Sequence, residues 1–128
     1  MAESTATTAL MRDLRKVECH VQKLAGSFYQ TGVPDLYVLN ARGRHVWIEM
    51  KYAVRKPSDV IGWLTLFGSR GRALQDEFTR AVCERDPLGA CVVVAHPELW
   101  ALYQPIDRPK YKLCVTGRDA VLEWILRG

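Results

Sequence analysis

Asp35, Glu49 and Lys51 are the residues of this chain whose types and spacing can do chemistry. They stand in two short strings, Gly32-Val33-Pro34-Asp35 and Glu49-Met50-Lys51. Two carboxylates beside an ammonium suit phosphodiester hydrolysis, which needs a hard cation to neutralise the phosphate and to form hydroxide near neutral pH. Magnesium takes oxygen ligands, typically one or two carboxylates with waters completing the shell. Asp35 and Glu49 would supply those oxygens. The Met50 carbonyl is an extra candidate ligand, its side chain facing the core. Lys51 would orient the attacking water or stabilise charge on the phosphorane. The plain alternative is three solvated residues on an exposed sheet face, because an E-x-K string at a strand end is common.

Two strands must position these side chains. In His45–Lys51 the apolar residues Val46, Ile48 and Met50 alternate with His45, Trp47, Glu49 and Lys51, the period of a strand with one buried face. Leu36 and Val38 continue that pattern in Asp35–Asn40, and Ala41-Arg42-Gly43-Arg44 between the runs is turn-like. In a hairpin both apolar sets must share a face, which restricts the register to every second residue. One allowed register sets Leu36 opposite Met50, Val38 opposite Ile48 and Asp35 opposite Lys51. Glu49 is then one diagonal step from Asp35, about 7–8 Å away.

Around this pair the chain reads as mixed α/β. Residues 3–17 predict a helix, with Glu3, Thr7, Leu10, Leu14 and Val17 on one stripe and Ser4 and Thr5 as capping residues. A short strand is expected near His20–Leu24, then a loop from Ala25 to Pro34. A helix spans about Arg72–Arg85, ended by Pro87 and Gly89. Ala90–Ala95 is apolar throughout, as a central strand buried on both faces would be. A weaker strand covers Tyr111–Val115, and Thr116 or Gly117 opens a final helix carrying Val121, Leu122 and Ile125.

At 128 residues the chain predicts one domain with a single core. No apolar run reaches the roughly 20 residues that span a bilayer, and Met1–Thr8 lacks a signal pattern. Four cysteines without a C-x-x-C pair argue against a zinc site or a disulfide framework, and for a reduced cytoplasmic setting. A net charge of +4 leans moderately toward polyanionic partners. His20, His45 and His96 have no metal-ligand spacing, and no phosphate-cradling glycine loop or nucleophile triad is present.

The strings Gly32-Val33-Pro34-Asp35-Leu36 and Ile48-Glu49-Met50-Lys51 resemble the PD-(D/E)XK nuclease superfamily, and more narrowly its VRR-NUC branch in the small stand-alone form found in phages. The likeness takes in Glu3-Ser4, Lys23 through Tyr29-Gln30, and Leu74-Gln75 with Phe78. It implies a restriction-endonuclease-like αβββαβ core, a mixed central sheet flanked by helices. It also implies DNA cleavage with magnesium or manganese, no organic cofactor, junction DNA as substrate and a homodimer in a phage- or prophage-type setting. By position, Asp35 and Glu49 would be metal ligands, Lys51 the catalytic lysine and Gln75 the helix glutamine. Glu3 would be the first-helix acid that completes the cluster, or simply a first-turn glutamate favoured by the helix dipole. Lys23 would contact phosphate near the site, or be a solvated strand residue.

The chain departs from that pattern between Lys51 and Gln75, where 23 residues intervene. An insertion at about 55–71 holds the apolar stretch Val60–Phe67, flanked by Arg55, Lys56, Arg70 and Arg72. These basic residues would clamp DNA phosphates or lie solvated. Trp63 and Phe67 would pack against a second subunit or an opened base step, or the stretch would cover the core. The leading reading is a structure-selective endonuclease. The competitors are an inactive nuclease-fold binding module and a nicking or single-strand nuclease.

Overall fold

A computed structural model describes residues 3–24, 32–52, 58–67 and 73–127, apart from the side chains of Glu3, Ser4, Trp63, Leu64 and Ala73. In chain order its elements are α1 (Glu3–Lys16), β1 (His20–Lys23), β2 (Leu36–Leu39), β3 (His45–Tyr52), β4 (Val60–Gly62), α2 (Trp63–Phe67), α3 (Ala73–Arg85), β5 (Ala90–Ala95), β6 (Trp100–Pro105), β7 (Lys110–Thr116) and α4 (Arg118–Leu126). The strands form one sheet in the order β1-β2-β3-β5-β6-β7-β4. β3 and β5 pair in parallel and the other neighbours are antiparallel. A parallel pair requires a crossover, and α3 lies within this one.

Hydrophobic periodicity explains the layering. Ala6, Leu10 and Leu14 recur on one face of α1 and are fully buried. With Val121, Trp124 and Ile125 of α4 they cover Leu36, Val38, Val46, Ile48, Met50 and Val93 on one side of the sheet. The other side carries a smaller cluster: Leu66 and Phe67 of α2 against Val92, Val94, Ala101, Tyr103 and Tyr111. β5, apolar and buried at every position, separates the two clusters as a central strand must. Among the described residues, no helix is long and apolar enough to cross a membrane.

The β2–β3 register differs from the expected one by two residues. Leu36 lies opposite Ile48 and Val38 opposite Val46, instead of Met50 and Ile48. Both registers keep the apolar sets on one face, so hydrophobicity cannot separate them. Turn chemistry decides. Asn40 donates its backbone N–H to the Arg44 carbonyl (2.9 Å), and its side-chain oxygen accepts from the N–H groups of Arg42 and Arg44 (3.0 Å each). Its amide nitrogen donates to the carbonyls of Ile125 (3.1 Å) and Arg127 (3.0 Å), tying the hairpin to the end of α4. Gly43 takes φ 83° in this turn, a conformation open to glycine at little cost.

The apolar stretch Val60–Phe67 resolves in favour of core covering for its last residues. Leu66 and Phe67 are buried in the second cluster, so Phe67 is committed within the chain and not offered to a second subunit or a base step. β4 adds an outer strand on β7. β6 had no counterpart in the sequence reading, yet it pairs with both β5 and β7.

Candidate active site

β3 outruns its partner. The β2 pairing stops at Leu36–Ile48, which leaves the next inward-facing amide of β3, that of Met50, without a ladder acceptor. Asp35 fills that place: the Met50 N–H donates to Asp35 Oδ2 at 2.8 Å. Such a charge-assisted bond fixes the carboxylate beside the strand. The loop before Asp35 is held against α3. A Cβ at Gly32, which sits at φ 91°, would come within 2.6 Å of Leu74 Cβ, so this approach requires glycine.

Side-chain alternation sends Ile48 and Met50 to the α1–α4 face and Glu49 and Lys51 to the other. Extending the observed register by one residue sets Asp35 directly opposite Glu49, closer than the diagonal placement expected from the sequence. Lys51 Nζ lies 3.2 Å from Glu49 Oε1 and donates to Gln75 Oε1 at 3.3 Å. The same ammonium sits 5.6 Å from the centre of the Phe67 ring, within reach of a cation–π attraction.

Glu49 is only 2 % exposed. Burial, then the charge of Asp35, pushes its carboxyl up to about 8 against the opposing pull of Lys51. No donor reaches its buried Oε2, and the Asp35 carboxylate is a hydrogen-bond partner for Glu49 only while Glu49 holds a proton. A buried carboxylate oxygen left unpartnered is costly, and a second carboxylate across the strand pair raises that cost. A hard divalent cation would relieve both terms, since oxygen donors are what such an ion takes. The residues present therefore fit the ion that the sequence chemistry implies. Among the described residues, no group of three or more His, Cys, Asp or Glu side chains is placed to hold a metal.

The sequence candidates thus divide. Asp35, Glu49, Lys51 and Gln75 come together, with Met50 joined through its backbone. Lys23 does not join them: it pairs with Leu36 and so faces α1, on the opposite side of the sheet from Glu49, because paired residues point the same way. The side chain of Glu3 lies outside the described residues, as do Arg55, Lys56, Arg70 and Arg72. The place of Phe67 beneath Lys51 was not foreseen. Its only sequence signal was an apolar residue ending an apolar stretch, which does not say what it covers.

Comparison with known proteins places the fold. No protein-family model matches the chain, and no curated protein does. Among solved structures it is similar to Hjc, a Holliday junction resolvase from the archaeal hyperthermophile Archaeoglobus fulgidus. The TM-score is 0.56 at 16% sequence identity, over 85% of each chain. With its mixed sheet, flanking helices and this likeness, the chain has a restriction-endonuclease-like fold.

Proposed function

We propose that this chain is a divalent-metal-dependent endonuclease that hydrolyses DNA phosphodiesters and prefers branched, four-way DNA. The observation that carries the reading is the buried Glu49 Oε2, which no donor reaches, in a carboxyl coupled to Asp35, with Lys51 held between Glu49 and Gln75. The fold shared with a junction resolvase supports the substrate class.

Asp35 and Glu49 would hold magnesium or manganese. The Met50 carbonyl is a further ligand candidate, since in an antiparallel pair a residue directs its N–H and C=O to the same side, here the side of Asp35. When bound, the ion supplies charge neutralisation at the phosphate and an acidified water. Lys51 keeps its ammonium beside the reacting phosphate, donating to a non-bridging oxygen or to the attacking water. Gln75 accepts from that ammonium and fixes its direction. Hydrolysis forms one P–O bond from water and breaks one P–O bond to the leaving strand, with the proton passing to the departing oxygen. A four-way junction has two-fold symmetry, so paired cuts call for two sites related by the same axis; we propose a homodimer.

The test is a panel of linear, nicked, flapped and four-way DNA incubated with manganese or magnesium. Four-way DNA should be cut fastest, and chelator should stop cutting. Asp35→Ala should abolish cleavage while the protein stays folded; unchanged cleavage by that variant would refute the assignment. A second reading, a nuclease-fold module that binds DNA without cutting, draws support from the presence of only two described carboxylates at the site. It requires the whole panel to be bound and left intact at every metal concentration. Preferential cutting of nicked or single-stranded substrates would point instead to a nicking or single-strand nuclease.

A further inference from the structure

A second feature lies on the other side of the sheet. α1 and the β1 edge border an open cleft of about 640 Å³ lined by Thr8, Met11, Arg12, Arg15, Lys16 and Lys23. Four of these six residues are cations and none is an acid. All four cations are exposed. Helical spacing places Thr8, Arg12, Arg15 and Lys16 on the face of α1 turned away from Leu10 and Leu14. Arg15 is steadied at the strand, its Nη2 donating to the Val21 carbonyl (3.3 Å). Asp13 of the same helix is committed elsewhere, 2.7 Å from Arg118 of α4. Among the described residues no acid pairs with Arg12, Lys16 or Lys23.

The ordinary explanation for cations at a helix C-terminus is the dipole, which accounts for Arg15 and Lys16 in the last turn of α1. It does not account for Arg12, a turn earlier, or for Lys23, which comes from a different element. Like charges gathered in one cleft, with no described acid paired to Arg12, Lys16 or Lys23, repel one another, and a polyanion removes that repulsion.

We infer that this cleft holds the phosphate backbone of a second DNA segment, distinct from the one at Glu49; the inference rests on the proposed action on DNA. Lys23 shares the α1 face of the sheet with Leu36, while Glu49 and Lys51 project from the opposite face. The sheet lies between Glu49 and this cleft, and the two share one end of it, the Leu24 N–H donating to the Asp35 carbonyl (2.8 Å). A straight duplex that grips both faces must bend around that end, at a cost of several kcal/mol. Two arms that diverge from a branch reach both faces unbent. The cleft is thus a surface that grips branched DNA and leaves linear DNA unheld.

The test is binding of a four-way junction and of a linear duplex of equal length, in chelator and across a salt series. It compares the natural chain with an Arg12→Ala/Lys16→Ala/Lys23→Ala variant. Junction affinity should fall about tenfold or more, and its log–log salt slope should shrink by about 2–3, near 0.9 for each phosphate no longer neutralised. Duplex affinity should change less than about threefold, since phosphates neutralised elsewhere on the protein are untouched. A charge-keeping variant, Arg12→Lys/Lys16→Arg/Lys23→Arg, should retain junction binding. Unchanged junction affinity and slope in the alanine variant would overturn the inference, as would equal losses on junction and duplex. No junction preference in the natural chain would overturn it as well. Because chelator removes cleavage from the assay, junction binding through the cleft in a chain that cuts nothing would sink the nuclease reading alone.

Discussion

Two buried acids lie near the same side of the sheet, and their surroundings are opposite. Asp76 on α3 is closed: its Oδ1 accepts from Arg80 Nε (2.8 Å) and from the Tyr111 hydroxyl (2.7 Å). Arg80 in turn donates to the carbonyls of Lys110 (3.0 Å) and Ile106 and lies over the Tyr111 ring. Burial, followed by the bond to Asp76, pushes the Tyr111 hydroxyl up and keeps it protonated. Glu49 is as deeply buried, has its own cation in Lys51 and its own ring in Phe67, yet one of its oxygens has no partner. The two regions even touch, Phe67 packing edge-on against Tyr111 at 5.5 Å. A satisfied network of buried charge holds a fold together. The unsatisfied one beside it is where we propose that a cation binds.

That contrast predicts different failures. Arg80→Ala strands the Asp76 carboxylate in the interior and should cost about 3–5 kcal/mol of stability, read by denaturant unfolding. A loss under about 1 kcal/mol would mean that the network is not structural. Because Glu49 holds a proton below about pH 8, Lys51→Ala strands no charge at pH 6 and should instead leave the unfolding midpoint there nearly unchanged, while single-turnover cleavage falls by about 10²–10³-fold, the range for removing one transition-state donor. Equal loss of stability in both variants would erase the distinction.

Glu49 offers a sharper test through pH. Its carboxyl titrates near 8 in the folded chain, against an ordinary value of 4.5. Between those values the folded state binds a proton that the unfolded state has released. Metal-free stability therefore falls as pH rises from about 4.5 to about 8, and levels off above. Glu49→Gln should flatten this slope and be the more stable protein at pH 9 in chelator, by on the order of 3–5 kcal/mol. Parallel pH profiles for the two proteins would show that Glu49 bears no such strain. The smallest effect belongs to Phe67→Leu, which keeps most of the buried volume and removes the ring near Lys51. Stability should drop by about 1 kcal/mol and cleavage a few-fold, and rates equal to the natural chain would detach Phe67 from the site.

Much of this was legible in the residues. Alternation in His45–Lys51 placed Glu49 and Lys51 on one face, and the unbroken apolar run Ala90–Ala95 marked the central strand. Parity of the apolar residues brought Asp35 to Glu49 in either register, so a two-residue error in pairing did not disturb the cluster. The register itself was hidden because it depends on the four side-chain hydrogen bonds of Asn40, two of them to carbonyls at the far end of the chain. β6 leaves little signal in the sequence because Trp100–Tyr103 is buried throughout and shows no alternation. The sequence reads Lys23 either as a phosphate contact near the site or as a solvated strand residue; its pairing with Leu36 sends it to the other face. That facing follows from β1 pairing, which no local pattern in four residues could fix.

The most direct measurement is calorimetric titration of manganese into the metal-free chain at pH 6, 7 and 9, in buffers of differing ionisation enthalpy. One ion site should bind, with proton release near pH 6 and 7 that fades by pH 9, because the cation displaces the proton held by Glu49. Binding should vanish in Asp35→Asn and Glu49→Gln. Equal manganese affinity in the natural chain and both variants would contradict a cation site at these two carboxylates.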